Sequence, residues 1–363
     1  MDFSLQNSSS VKRTMKTDIK SFNLEQLTEE LLKIGEKKFR AKQIYTWIHQ
    51  KLADSFEEMT NLSKDLREKL KANYTLMDME AVEVQTSKID GTQKYLFRLH
   101  DGHVIESVLM KYHHGNSVCI SSQVGCLMGC RFCASTIGGK VRDLSASEML
   151  GQIYKIQKMS GERVHNVVVM GTGEPLDNYE NLLQFIRMLT DENGLNISQR
   201  NLTVSTCGIV PKIKVLAKEK FQITLALSLH ATTQEKRKQL MPIANKYELK
   251  EVLDACKEYY EETGRRMTFE YSLVAGVNDT KEDAENLTKL IGKFPCHVNL
   301  IPVNPIKERD FVQPDKAACQ AFRNKLEKNG INATIRREMG RDIDGACGQL
   351  RKSYLDQRKE ENE

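Results

Sequence analysis

The chain has 363 residues, 40% of them hydrophobic, and carries 54 Lys plus Arg against 49 Asp plus Glu for a net charge of +5. Such a chain can bury a large core and is no disordered tail, and its length suits two domains or one large domain with an extension. It contains no apolar run of about 18 residues, which excludes a membrane-spanning helix, and its single tryptophan and 7% aromatic content argue against an aromatic-caged binding module.

Met1 to Phe22 is polar, with Ser8, Ser9 and Ser10 where a secretory leader would be apolar, so no leader is predicted and the cytoplasm is the expected compartment. Nine cysteines in that reducing compartment point to metal binding or catalysis rather than to a disulfide framework. From Asn23 to about Tyr74 apolar residues recur at helical spacing: Leu24, Leu27, Leu31 and Leu32, then Ile44, Trp47 and Ile48, then Leu62, Leu66 and Leu70. This predicts a small helical accessory domain over residues 1–85. Positive charge bunches at Lys33, Lys37, Lys38, Arg40 and Lys42, a cluster that reads equally as a solvated helix face or as a phosphate-contacting surface.

Alternation around Tyr95, Leu96, Phe97 and Leu99, a turn at Asp101-Gly102, and then Val104, Ile105, Val108 and Leu109 predict a β-hairpin extension over 86–114. Beyond it, short β-branched runs alternate with helix-length amphipathic stretches. The runs are Ser117–Ser121, Val167–Met170, Leu202–Ser205, Ile223–Leu229, Met267–Leu273, Val298–Val303 and Ala333–Arg336. Seven βα units demand a parallel sheet with right-handed crossovers, so residues 115–340 are assigned to an α/β core shaped as a whole or partial (βα) barrel. Ligand sites in that architecture lie where strands end. Residues 341–363 form a C-terminal segment whose polar part, from Arg351 onward, is expected to fray.

Cys126, Cys130 and Cys133 follow the first of these runs at the spacing C-x3-C-x2-C, with Phe132 before the last. A structural zinc site closes with four ligands, commonly as two C-x2-C pairs, and no second pair occurs. Three thiolates can instead hold three irons of a four-iron cluster and leave the fourth open to an exogenous ligand. Zinc binding and three unrelated core cysteines remain the alternatives. Cys207, Cys256, Cys296 and Cys319 lie in or beside apolar patterns and read as small buried hydrophobes, and His113 and His114 as exposed loop residues.

The cysteine pattern resembles the signature of radical S-adenosylmethionine (SAM) enzymes, whose fold is a full or partial (βα) barrel. From about Phe22 to Leu350 the chain resembles the radical RNA adenine-C2 methyltransferases of RlmN type, with the related Cfr type beside them. The resemblance implies one 4Fe-4S cluster on Cys126, Cys130 and Cys133, and two molecules of SAM per turnover. Within Asp342-Ile343-Asp344-Gly345-Ala346-Cys347-Gly348-Gln349-Leu350 it makes Cys347 the methyl-carrying cysteine, and it makes Cys119 the resolving thiol that forms a transient disulfide with Cys347. Glu106 matches the proton acceptor. Gly173 and Glu174 in Gly171-Thr172-Gly173-Glu174-Pro175, with Ser205, Ser228, Leu229, His230 and Asn304, match SAM-binding positions. Cys207 stands where the family pattern has serine, and Gly345 where it has alanine; neither departure removes a reactive group.

The implied target is an adenine of 23S rRNA, with tRNA as a second substrate through an adenine of the anticodon loop. Adenine C2 lies between two ring nitrogens and is electron-poor, so it cannot attack a sulfonium methyl, whereas a carbon radical can add to it. A flavodoxin- or ferredoxin-like one-electron reductant and a disulfide reductant are the implied protein partners. Pro175 favours C2 over the Cfr-type C8 reaction; the rival from another class is a zinc-dependent RNA-binding protein without catalysis.

Overall fold

The computed structural model describes residues 16–292, 294–305 and 309–343. The chain divides into two compact units, Met1–Met77 and Asp78–Glu363.

In the first unit a two-residue strand β1 (Thr17–Asp18) pairs in parallel with β2 (Tyr74–Thr75), and three helices lie between them in sequence: α1 (Leu24–Lys33), α2 (Phe39–His49) and α3 (Lys64–Asn73). The α1 start is fixed by a reciprocal cap in which Gln26 N donates to Asn23 Oδ1 at 2.8 Å and Asn23 N donates to Gln26 Oε1 at 3.0 Å. Leu27, Leu31, Ile44, Ile48, Leu66 and Leu70 supply its core, which are positions the helical periodicity singled out. Lys33, Lys37, Lys38 and Lys42 are exposed, as is Phe39, over whose ring the Arg40 guanidinium lies at 4.9 Å.

The second unit is built on one ten-stranded sheet. Its first strands, β3 (Glu80–Thr86), β4 (Gln93–Arg98), β5 (Val104–Tyr112) and β6 (Gly115–Cys119), pair antiparallel in that order. The boundary between units therefore falls at 77/78 rather than at the expected 85, and the expected hairpin is one part of a three-strand antiparallel extension. A two-stranded ribbon, β7 (Gln123–Gly125) with β8 (Lys140–Asp143), comes next and is followed by α4 (Ala146–Ser160).

From there the βα repeat runs β9 (Val164–Val169), α5 (Tyr179–Leu189), β10 (Leu202–Thr206), α6 (Val210–Lys218), β11 (Thr224–Ser228), α7 (Gln234–Leu240), α8 (Leu249–Thr263), β12 (Met267–Leu273), α9 (Lys281–Ile291), β13 (Cys296–Pro302), α10 (Lys316–Lys328) and β14 (Ala333–Ile335). The order β6-β9-β10-β11-β12-β13-β14 is parallel throughout, and β14 stays at the edge instead of closing on β6. This is the expected partial (βα) barrel, with its antiparallel extension continuing from β6. Val118, Val167, Val169, Leu202, Val204, Leu225, Leu227, Phe269, Tyr271, Val298 and Leu300 are buried along the strands. Buried positions recur at every second residue, as at Leu202 and Val204 or Phe269 and Tyr271, and this period of two is legible in sequence; all seven parallel strands overlap the expected runs. Among the described residues no helix is long and apolar enough to cross a membrane.

Candidate active site

The β7–β8 ribbon brackets the cysteine loop. Cys126 N donates to Gly139 O at 3.0 Å across the base of the loop, and Arg131 N donates to Leu240 O at 2.9 Å, tying its tip to the end of α7. Thr136 Oγ1 donates to the carbonyls of Cys130 and Cys133 at 3.3 and 2.9 Å, which fixes the second half of the loop. Cys130, Met128 and Phe132 pack on a buried cluster of Cys207, Ala231, Leu240 and Met241. Phe132 meets the His230 ring edge to face with centroids 4.7 Å apart.

Burial pushes the Cys126 thiol up to about 12 and raises Cys130 and Cys133 as well, and Cys133 further raises both of the other two. Three thiols close enough to feel one another, in a setting that disfavours bare thiolates, fit ligands that ionise when a metal group arrives. Among the described residues no group of three or more His, Cys, Asp or Glu side chains surrounds a point that one metal ion could occupy.

The Gly171–Pro175 turn after β9 packs against the chain that links β6 to β7. Gly173 has φ +117, and a Cβ there would stand 2.6 Å from Ser122 Oγ and 2.7 Å from Gln123 Cβ, so only glycine lets the two segments approach so closely. Glu174 is buried and braces this turn: Oε1 accepts from Leu176 N at 3.0 Å and Oε2 accepts from Cys207 N at 2.7 Å, while its own N donates to Gln123 Oε1 at 2.9 Å. Both carboxylate oxygens thus hold the strand ends together, and burial raises the pKa of the group. Ser121 links the turn to β5, accepting from Thr172 N at 3.1 Å and donating to Glu106 O at 2.7 Å.

Ser205 Oγ donates to Val169 O at 3.0 Å at the end of β10. Ser228, Leu229 and His230 end β11, where the fully buried Arg237 binds main-chain carbonyls: Nη2 donates to Cys207 O at 2.7 Å and Ser228 O at 3.3 Å, and Nε to Leu229 O at 3.3 Å. His230 has φ +55, uncommon for a side-chain-bearing residue. Ser272 N donates to its Nδ1 at 2.8 Å and Asn278 Nδ2 donates to its carbonyl at 2.7 Å. Burial, helped by the charge of Arg237, lowers its pKa to about 3, so the ring is neutral.

A cavity of about 320 Å³ opens between the two edges of the parallel sheet. Its walls include Glu106 and Cys119 from β5 and β6, Met170 and Gly171 after β9, Asn304 after β13, and Arg336 after β14. Three expected site residues thus share one chamber. Glu106 is almost fully buried, with Oε1 3.6 Å from Nζ of the equally buried Lys94 on β4. Burial raises the Cys119 pKa while Arg336 works against that shift, and the charge of Glu106 reaches both Cys119 and Cys133. Gly173, Glu174, Ser205, Ser228, Leu229 and His230 are not among the lining residues and belong instead to the strand ends beside the cysteine loop. Cys347 lies outside the described residues. The chain leading toward it is held by the β3–β4 turn: Ser87 Oγ donates to Asp342 Oδ1 at 2.6 Å, Lys88 N to Asp342 Oδ2 at 2.8 Å, and Gly340 N to Asp90 Oδ2 at 3.0 Å.

Sequence reasoning missed Lys94, Arg237 and Arg336. The signal for Lys94 is a cation directly before the apolar run Tyr95–Phe97, and for Arg237 a helical face shared with Leu240 and Met241, at spacings of three and four residues.

Residues 17–76 match the ribosomal RNA large subunit methyltransferase N-terminal domain, and residues 120–291 the radical SAM superfamily. A protein of Lachnospira eligens named "Probable dual-specificity RNA methyltransferase RlmN" is 67% identical over 340 residues, 94% of this chain and 97% of that one. One of the same name from Lachnoclostridium phytofermentans is 64% identical over 343 residues, 94% and 96% of the two chains. The solved structure of a radical SAM methyltransferase from Sphaerobacter thermophilus superposes with a TM-score of 0.88 at 42% identity, covering 92% of this chain and 98% of the other.

Proposed function

This chain belongs to the RlmN family of radical SAM RNA methyltransferases, and from that premise we propose that it methylates C2 of an adenine in 23S rRNA and of an adenine in the tRNA anticodon loop. The observation that carries the reading is the chamber in which Glu106, Cys119 and Asn304 share walls, with Cys133 of the three-thiol loop within electrostatic reach of Glu106. We assign Cys126, Cys130 and Cys133 as ligands of the 4Fe-4S cluster, and two molecules of SAM to each turnover. Bound together, cluster and SAM supply a carbon-centred radical through one-electron cleavage of the sulfonium.

The chain's own residues do the rest. The close turn at Gly173 lets main chain approach the cofactor, and Ser205, Ser228, Leu229, His230 and Asn304 offer polar groups at the strand ends. Cys347 carries the methyl group as a thioether, gives up one hydrogen atom, and its carbon joins C2. Once the radical adduct has passed one electron to the flavodoxin- or ferredoxin-like carrier, Glu106 takes the C2 proton. Cys119 then attacks the sulfur of Cys347: a sulfur–sulfur bond forms, the sulfur–carbon bond breaks, and the freed carbon keeps the electron pair and takes a proton to become the methyl group. An external dithiol has to reduce the Cys119–Cys347 disulfide, and a flavodoxin- or ferredoxin-like donor supplies the single electron. In the first unit, Lys37, Lys38 and Lys42 grip phosphates. The target base has to leave its stack, which costs least in a loop.

The test is anaerobic reconstitution with iron, sulfide, a strong reductant and RNA. Expected are 5′-deoxyadenosine and an adenine that fragment mass mapping locates as C2-methylated, with Cys119→Ala protein retaining covalently bound RNA. A C8 product would redirect the reading to the Cfr type, and stoichiometric zinc without iron would overturn it.

A further inference from the structure

Arg237 is a cation with no anion. Its side chain is fully buried, it makes no ion pair among the described residues, and its Nη1 is a buried donor with no hydrogen-bond partner there. Its other donors reach only neutral main-chain carbonyls, those of Cys207, Ser228 and Leu229. An uncompensated buried charge is among the costliest features a fold can carry, and buried charges are as a rule paired or bound to metal groups. Two thiols stand beside it: Cys207, whose carbonyl it binds, and Cys130, which packs on the buried cluster of Cys207, Ala231, Leu240 and Met241. Of these only Cys130 belongs to the loop assigned to the cluster, and α7, which carries Arg237, ends at Leu240, whose carbonyl ties down Arg131 beside it.

We infer that Arg237 is the built-in counter-charge of the iron–sulfur cluster. It neutralises part of the negative charge that three thiolates and the inorganic sulfides bring to the cysteine loop, and so raises the cluster's reduction potential. The same guanidinium ties the ends of β10 and β11 to that charge, so the strand ends assigned to SAM are held in register with the metal group. Arg237 is thus a positioning and tuning residue, acting through the cluster rather than touching RNA. The inference rests on the cluster assignment above and adds to it a named source of redox control.

The experiment is an electron-paramagnetic-resonance redox titration of anaerobically reconstituted wild type, Arg237→Lys and Arg237→Met. Removing a nearby positive charge makes the cluster harder to reduce, so at the wild-type midpoint potential the reduced-to-oxidised ratio of Arg237→Met should fall at least tenfold, a shift of about 59 mV for one electron. Arg237→Lys keeps the charge and should recover most of that ratio. A second measurement covers loss of the carbonyl bonds: cluster loading should raise the unfolding midpoint less in Arg237→Met than in wild type, whatever the two apo-proteins' starting values. An Arg237→Met cluster with the wild-type potential and the wild-type loading gain would overturn the inference. Wild type that takes up no iron would instead remove the cluster assignment, so the two failures are distinguishable.

Discussion

Gly173→Ala is the substitution whose cost the structure defines best, because two separate penalties meet at that residue. At φ +117 the backbone lies where side-chain-bearing residues are strained by about 1–3 kcal/mol. The added methyl would also stand 2.6 Å from Ser122 Oγ, 2.7 Å from Gln123 Cβ and 2.8 Å from Gln123 N, and overpacking of this kind costs about 1–3 kcal/mol more. Together they amount to about 2–6 kcal/mol. Two other glycines separate the parts. Gly102, in the β4–β5 turn, has φ +84 with nothing within 4 Å of a new methyl, so Gly102→Ala carries backbone strain alone, about 1–2 kcal/mol. Gly171 has no left-handed backbone, but its methyl would stand 2.6 Å from Ile120 O, so Gly171→Ala carries the steric part alone. Urea unfolding of the apo-chain followed by far-ultraviolet circular dichroism reports mainly the larger second unit, and Trp47, the single tryptophan, follows the first unit as an internal control. If Gly173→Ala loses no more stability than Gly102→Ala, the claim that the turn presses directly on the β6–β7 link is wrong.

The remaining expectations concern charge. His230, held neutral down to about pH 3 by burial, protonates near pH 6.5 once the chain unfolds. The unfolded state therefore binds the extra proton between those values, and this group lowers stability as pH falls through that window, by about 2 kcal/mol at pH 5 relative to pH 8; urea midpoints of His230→Asn should lack that part of the slope. Glu270 acts in the opposite sense. Burial raises its pKa to about 7, against 4.5 for an ordinary glutamate, so its contribution is present in acid and lost as pH rises from 4.5 through 7. Glu270→Gln keeps an oxygen for Asn299 Nδ2, which now donates to Oε2 at 2.8 Å, and should stabilise the chain at pH 8 by up to about 3 kcal/mol with little effect at pH 4; a less stable variant at pH 8 would contradict the raised pKa. In RNA binding, replacing Lys37, Lys38 and Lys42 together with alanine should shrink the slope of log affinity against log salt by about 2–3. An unchanged slope in filter binding over a salt series would leave those lysines as a solvated face.

The parts of this protein that can be read from sequence are those whose cause is local. Met267–Leu273 is a strand in the pattern and the same strand in the structure because apolar Met267, Phe269, Tyr271 and Leu273 alternate with polar Thr268, Glu270 and Ser272, the period of two that a strand imposes on its side chains. The C-x3-C-x2-C spacing is equally local, since one short loop has to present three thiols. Glu80–Thr86 is not legible in this way, because it is the outermost strand of the sheet, half-exposed and carrying Glu80, Glu83 and Gln85; its alternation is weak, and the expected boundary of the helical domain falls inside it. The β7–β8 ribbon, short and holding Gln123, Lys140 and Arg142, has no period of its own and exists because the cysteine loop must be closed at its base.

The charged residues of the core show why sequence alone falls short at the site itself. Gln234–Leu240 contains Glu235, Lys236, Arg237 and Lys238 and reads as a solvated helix, yet Arg237 is fully buried while Lys236 pairs with Asp283 at 2.6 Å. Nothing in the local pattern separates two neighbouring cations with opposite fates. What separates them is the destination of each side chain: a carboxylate on α9 for one, and for the other three carbonyls from two strand ends together with the thiols gathered around them. A buried cation is tolerated only where the fold has gathered enough negative potential around it. Arg237 therefore marks the place where strands far apart in sequence converge on the cysteine loop, and substituting it tests that convergence more directly than substituting any single cysteine, because every thiol would still be present.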